Sequence, residues 1–254
     1  MISFRAKLLC PALLLPLLPL LSLLPLIAAV QGTVTNGTTG KPQSGVTVNV
    51  LKLEGGMVPI GKDITGPDGR FHIEAPPPSG NLPYLVRADY KSVGYFAPAR
   101  AAEGSVALKV YDTTGEAAAF RLSGHQVILE PHQGQLMVLE SYTISNASQP
   151  PKTYLNRDGF RFTLPNDNVT EMSVSATGPG QLPLRQSAES KGQGKYAMDY
   201  SFRPGDTRVE INYKLPYTDS YKFRAPLMAG LEETEIIAPS DAVTITGEDR
   251  KSVV

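Results

Sequence analysis

The chain is 254 residues long, and its 24 lysines and arginines balance 24 aspartates and glutamates. That balance gives no sign of a nucleic-acid partner. A single cysteine, Cys10, excludes a disulfide framework, and no tryptophan is present.

Residues 1–29 open with Arg5 and Lys7, run apolar from Leu8 to Ile27 and close on Ala28 and Ala29. Basic, apolar and small residues in that order predict a secretory signal peptide cut after Ala29. The apolar run also matches the ~20 residues of a bilayer span, so a retained anchor is the rival reading. Pro11, Pro16, Pro19 and Pro25 weigh against the anchor, because each removes a helical hydrogen bond. Cys10 follows the bulky Leu9 and so lacks the small preceding residue of a lipidated cysteine. Without the leader the chain would hold no cysteine, and about 220 residues would remain, enough for two sandwich domains stabilised by core burial alone.

Beyond the leader, strands are predicted at 32–35, 46–53, 62–65, 70–74, 84–90, 93–96 and 106–111. Val46, Val48 and Val50 alternate with Thr47 and Asn49, which places the valines on one buried face. Asn36-Gly37, Gly55-Gly56, Gly66-Pro67-Asp68-Gly69 and Ala75-Pro76-Pro77-Pro78-Ser79-Gly80 supply the turns between them. Asp68-Gly69 fits a tight hairpin, since glycine takes a positive φ without steric cost. Replacing Gly69 with Val is therefore expected to cost more than replacing Asp68.

A Thr-Thr-Gly step within 112–115 separates this set from a second series of strands, predicted at 118–122, 126–130, 136–145, 159–164, 172–177, 196–202, 207–215, 221–224, 235–237 and 243–246. Val209, Ile211 and Tyr213 alternate with Arg208, Glu210, Asn212 and Lys214, the pattern of a strand with one wet face. No stretch after residue 30 holds a helical period. The expected fold class is all-β: two antiparallel β-sandwich domains, 30–112 and 113–247, after an N-terminal signal peptide at 1–29.

The stretches Gln31-Gly32-Thr33-Val34-Thr35-Asn36, Lys41-Pro42-Gln43-Ser44-Gly45-Val46 and Thr65-Gly66-Pro67-Asp68-Gly69-Arg70-Phe71 resemble the carboxypeptidase regulatory-like domain. That resemblance implies a prealbumin-like β-sandwich, an accessory module of bacterial secreted proteins with no peptidase chemistry of its own. In the second half, Asn146-Ala147-Ser148-Gln149-Pro150-Pro151, Gly178-Pro179-Gly180 and Arg203-Pro204-Gly205-Asp206-Thr207 resemble an uncharacterised region that follows this domain in exported proteins of soil bacteria. In that group a membrane-spanning segment often follows the second sandwich. The last six residues, Asp249-Arg250-Lys251-Ser252-Val253-Val254, resemble the translated read-through of a sequencing adapter. Residues 248–254 are therefore expected to be a non-native tail, with any membrane anchor encoded beyond Gly247.

Zinc carboxypeptidase chemistry needs a closely spaced His and Glu plus a distant His, and none of His72, His125 or His132 is followed three residues later by Glu. His125, Glu130 and His132 come nearest to a metal cluster, but on an extended strand His125 and Glu130 point to opposite faces, and Pro131 starts a turn before His132. No serine sits in a Gly-x-Ser-x-Gly elbow, and Gly178-Pro179-Gly180 lacks the Lys-Ser/Thr pair of a phosphate loop. Tyr84, Tyr90 and Tyr95, and Tyr213, Tyr217 and Tyr221, could stack on sugar faces, although tyrosine is equally a good packing residue of strands. Asn36, Asn146 and Asn168 begin glycosylation sequons and read more simply as turn formers. Asp63, Asp68 and Asp158 could support calcium but read as solvated turn residues.

No catalytic, cofactor-binding or metal residue is therefore assigned, no cofactor is expected, and the binding residues are left unassigned. The sequence favours a non-enzymatic, extracytoplasmic structural or interaction module. Its expected partner is a protein or a cell-surface polysaccharide. The alternatives are a carbohydrate-binding module, or the accessory domain of an enzyme whose catalytic part lies beyond Val254.

Overall fold

A computed structural model describes residues 28–54, 56–76, 83–99, 104–156, 158–165, 168–223, 228, 230–231 and 233–239. The expected leader up to residue 27, the expected strand at 243–246 and the tail at 248–254 lie outside the described residues. Ala28 and Ala29 pair with Ala75 and Glu74 as the first residues of a strand.

The first half contains β1 (Ala28–Asn36), β2 (Lys41–Pro42), β3 (Thr47–Lys52), β4 (Val58–Ile64), β5 (Arg70–Ala75), β6 (Tyr84–Tyr90), β7 (Val93–Ala99) and β8 (Val106–Val110). One sheet runs β2-β1-β5, with β8 parallel to β1; the other runs β4-β3-β6-β7. The valine alternation is realised as expected: Val46, Val48 and Val50 are fully buried, as are Val34 and Val86, and Phe71, Ile73 and Leu108 are buried beside them. Gly32 lets β1 approach its neighbours, because a Cβ there would lie 2.1 Å from the Val106 carbonyl oxygen and 2.6 Å from the Phe71 ring. The edge strand β4 leaves Val58 and Ile64 exposed but carries Pro59 and a register shift opposite Val50 and Leu51, features that blunt edge-to-edge association.

The second half contains β9 (Thr113–Thr114), one 3-10 turn (Ala117–Ala119), β10 (Phe120–His132), β11 (Gln135–Asn146), β12 (Thr153–Leu155), β13 (Phe160–Thr163), β14 (Thr170–Thr177), β15 (Pro183–Gln186), β16 (Ala188–Gly192), β17 (Lys195–Met198), β18 (Ser201–Phe202), β19 (Gly205–Pro216) and β20 (Glu235–Ile237). Six of them form the sheet β15-β14-β19-β11-β10-β20, and the sets β18-β12-β9 and β13-β17-β16 form two small sheets. The long central strands bury alternate residues. Leu136, Val138, Tyr142 and Ile144 of β11, with Val209, Ile211, Tyr213 and Leu215 of β19, pack against Tyr154, Phe160, Phe162, Met198 and Phe202 of the small sheets.

The chain is thus all-β, built from mainly antiparallel sheets with parallel pairings of β1 with β8, β9 with β12 and β10 with β20, and its buried apolar residues fall into two clusters, Val34 to Val110 and Val127 to Leu215. Several details differ from expectation, among them the strand predicted at 196–202, which is split into β17 and β18 in separate small sheets. The strands predicted at 118–122 and 126–130 are one strand, β10, because the Ser123 bulge absorbs the break in alternation while pairing to β11 continues. Tyr221–Phe223, predicted as the start of a strand, has no strand structure; its alternation is too short to define one, and Arg224 lies outside the described residues. The short strands β2, β9, β12, β15 and β16 were not predicted, since two to five polar or mixed residues show no measurable period.

Candidate functional site

The structure disperses the residues that sequence reasoning grouped. His125 faces the core from β10, whereas Glu130 and His132 of the same strand are exposed. His72 is exposed on β5, where its backbone N–H donates to Asp63 Oδ2 at 2.8 Å. Asp68 accepts the Arg70 N–H at 3.1 Å and Asp158 pairs with Arg161 at 3.1 Å, so these carboxylates act as local turn partners. Among the described residues no three His, Cys, Asp or Glu side chains are grouped to hold a metal. Tyr84, Tyr95 and Tyr213 are buried and offer no ring face to an external sugar; Tyr90, Tyr217 and Tyr221 are half-buried.

Sequence reasoning missed a polar cluster inside the second core. Glu140 sits at the centre of β11 with 0% exposure, in line with Val138 and Tyr142. Its Oε1 accepts the Tyr213 hydroxyl at 2.5 Å, and its Oε2 accepts the Tyr142 hydroxyl at 2.6 Å. His125 Nε2 lies 3.3 Å from the same Oε2, and Nδ1 lies 3.0 Å from Thr234 Oγ1. Sheet register explains the convergence. His125 lies directly opposite Tyr142, and Tyr213 opposite Val138, so both reach Glu140 from diagonal positions on the flanking strands. The His125 and Tyr142 rings stack at 4.3 Å and 8°. Burial, followed by the adjacent Glu140 charge, pushes both tyrosine hydroxyls far above the ordinary phenol range, which keeps them neutral donors. One signal in the sequence pointed to the cluster: Leu136, Val138, Glu140, Tyr142 and Ile144 share one face by alternation, and a carboxylate on a buried face must be hydrogen-bonded.

The junction between the two cores is built from two similar turns. Asn36 ends β1 and Asn146 ends β11; each accepts the backbone N–H two residues ahead, from Thr38 at 2.9 Å and from Ser148 at 3.2 Å. Asn36 Nδ2 donates to Gln43, Tyr90 and Asp112, and Asn146 Nδ2 donates to the carbonyls of Lys152 and Phe202. Both asparagines are buried, so these two sequons serve as turns, as expected; Asn168 is exposed. The turns meet each other. Thr38 Oγ1 donates to the Pro151 carbonyl at 2.5 Å and accepts the Asp112 N–H at 2.9 Å.

Further contacts extend the seam. The Tyr95 hydroxyl lies 2.8 Å from Thr153 Oγ1, and the Thr153 N–H donates to the Asp112 carbonyl at 2.8 Å. Arg203 crosses from the second half, donating to the Gly94 carbonyl and, at 3.2 Å, to the Tyr200 hydroxyl. Its guanidinium lies 5.4 Å from the Tyr95 ring centroid and 5.7 Å from that of Tyr200. Asp112 Oδ1 gathers Lys91 at 2.8 Å, Tyr90 at 2.9 Å and Asn36 at 3.2 Å, and these hydrogen bonds, Lys91 first, hold its carboxyl below the ordinary value.

The depressions formed by the described residues include the following three. A groove of about 1020 Å3 runs along the open part of β10, with Arg121, Arg161 and Arg208 facing Asp158, Glu233 and Glu235. A second, of about 860 Å3, lies beside Tyr196 and mixes Lys191 and Lys195 with Glu189 and Asp199. A smaller cleft of about 250 Å3 lies where the two halves meet, between Tyr95 to Ala97 and Ala107 to Lys109 on one side and the Gly178-Pro179-Gly180 loop on the other.

No protein-family model matches the chain, and no curated protein matches it. Solved structures similar to it include BcpA, the major pilin subunit of Bacillus cereus, at 11% identity and a TM-score of 0.25, and a single-residue variant of that pilin at 11% identity and a TM-score of 0.24. Each match covers 77% of this chain and 60% of the pilin chain, so the chain spans less than two thirds of the pilins' length.

Proposed function

We propose that this chain is a non-enzymatic, extracytoplasmic module whose two sandwiches form one stiff unit, serving as a structural or interaction element of a bacterial envelope. The observation that carries this reading is the junction. Thr38 to Pro151, Tyr95 to Thr153 and Arg203 to Gly94 join the halves by direct hydrogen bonds, whereas a flexible linker would leave each core to move alone. The titratable cluster around Glu140 fits the same reading, because its carboxylate is fully buried and its oxygens are already occupied by Tyr142, Tyr213 and His125. The extracytoplasmic location is supported by the order of residues 1–29.

Relaxation measurements on the isotope-labelled chain test the proposal. One rotational correlation time shared by both halves is expected. Independent tumbling of the two halves would refute the stiff-unit reading, and turnover of a peptide or ester abolished by a single side-chain substitution would refute the non-enzymatic one.

A further inference from the structure

The small cleft between the halves differs in kind from the two larger depressions. Those mix acids with bases, so a ligand of either sign gains little net attraction there. The interdomain cleft is lined by two cations, Lys109 and Arg203, and by no aspartate or glutamate. The rest of its wall is apolar or aromatic, with Phe96 and Tyr111 from the first half and Leu182 and Leu184 from the second.

Arg203 is the central element. Its two terminal nitrogens are committed to Tyr200 and the Gly94 carbonyl, and its faces to Tyr95 and Tyr200, yet no carboxylate pairs with it among the described residues. A half-buried guanidinium without a counter-charge is held in place here by neutral groups, which fixes its direction and leaves its charge unneutralised. Its Nε–H takes part in none of these contacts. Lys109 projects from the exposed side of β8, where its neighbours Leu108 and Val110 face the core, and it too has no carboxylate partner among the described residues.

We infer that this cleft binds a small organic anion, one carboxylate on a ring or short acyl body, with the anionic group held by Arg203 and Lys109 and the body against Phe96, Leu182 and Leu184. The two requirements of such a ligand, positive charge at one point and apolar wall around it, coincide only at this place among the three depressions. Arginine recognises carboxylate by directed N–H bonds, while the lysine adds unspecific attraction that salt screens. A cavity of about 250 Å3 lies below the ~300 Å3 at which drug-sized pockets begin, so the occupant is a single ring or a short chain.

The test is a titration of the isotope-labelled full chain with benzoate, with hexanoate and with the neutral benzamide, followed through backbone amide shifts. Saturable, single-site shifts with benzoate or hexanoate, centred on the 107–109 and 178–184 segments, are expected. Benzamide should bind about tenfold more weakly. Lys109→Glu, an exposed change outside the junction's hydrogen bonds, should weaken the anion about fivefold or more, whereas Lys62→Glu on distant β4 should leave it unchanged. Failure of both anions to saturate, equal affinity for benzamide, or undiminished binding in Lys109→Glu would each overturn the inference.

Discussion

Glu140 shows how one residue organises a core. A carboxylate at the centre of a sheet is tolerable only because Tyr142, Tyr213 and His125 surround it with hydrogen bonds, and removing one of them leaves a charged acceptor short of a partner. Tyr213→Phe, which keeps the ring and deletes the hydroxyl, is expected to cost about 1.5–3 kcal/mol in urea unfolding. The same tyrosines set an alkaline limit. Their folded pKa values lie above the ordinary 10.0, so their contribution is complete below that value and is lost as pH rises beyond it, where the unfolded chain ionises and the folded one resists. Phenolate absorbance followed alongside circular dichroism should show these two tyrosines ionising together with unfolding, and later than the exposed ones. Thr207 provides the opposite case. Its hydroxyl is buried without a hydrogen-bond partner, so Thr207→Val is expected to leave stability unchanged or raise it by up to about 1 kcal/mol. The face on which Glu140 lies was readable from alternation. Its partners were not, because their meeting depends on the register of three strands.

At the level of elements, turn chemistry and alternation account for most of the architecture. Gly69 has φ +75, and a Cβ there would stand 2.5 Å from the Val34 carbonyl oxygen, which itself accepts the Gln43 N–H across the β1–β2 turn. Gly69→Ala should therefore cost about 1–2 kcal/mol or more, while Asp68→Ala, which loses an exposed hydrogen bond to the Arg70 N–H and a solvent-screened ion pair with the Arg70 side chain, should cost less than about 1 kcal/mol. Thermal unfolding of the two variants gives the order directly. The strands legible in advance, such as β5, β11 and β19, each bury one face over six or more residues. Those that were not legible, such as Thr113–Thr114 and Thr153–Leu155, exist because a partner strand passes beside them. A two-residue strand has no pattern of its own. The bulge at Ser123 was hidden for a related reason, since an inserted residue inverts the alternation that sequence reasoning relies on.

At the scale of the whole molecule, the junction decides whether the two cores act as one. Asp112 is its charged node, with Lys91, Tyr90 and Asn36 on one carboxylate oxygen and Thr38 on its backbone N–H. Its folded pKa lies below the ordinary 3.8, so its contribution is present above that value and disappears as pH falls through the lower folded value. Asp112→Asn should consequently lower stability near neutrality and flatten the acid limb of the urea midpoint against pH. An unchanged acid limb in the variant would remove Asp112 from this role. Thr153→Val, which deletes the hydroxyl facing Tyr95, should loosen the junction while sparing both cores, and faster local hydrogen exchange around Tyr111 and Asp112 would report it.

The sequence by itself determined that the chain is a turn-punctuated all-β protein with valine-rich and tyrosine-rich strands, because alternation and glycine-dependent turns are local properties written residue by residue. It also placed two of the three asparagine sequons, at Asn36 and Asn146, in turns and kept His125 apart from Glu130. Tertiary structure alone decided that Glu140 gathers His125, Tyr142 and Tyr213, that Asn36 and Asn146 build adjoining turns, and that Arg203 and Lys109 share a cleft without an acid. Apart from the neighbouring Glu140 and Tyr142, those meetings join residues 15 or more positions apart, and only sheet register and the docking of two cores bring them together.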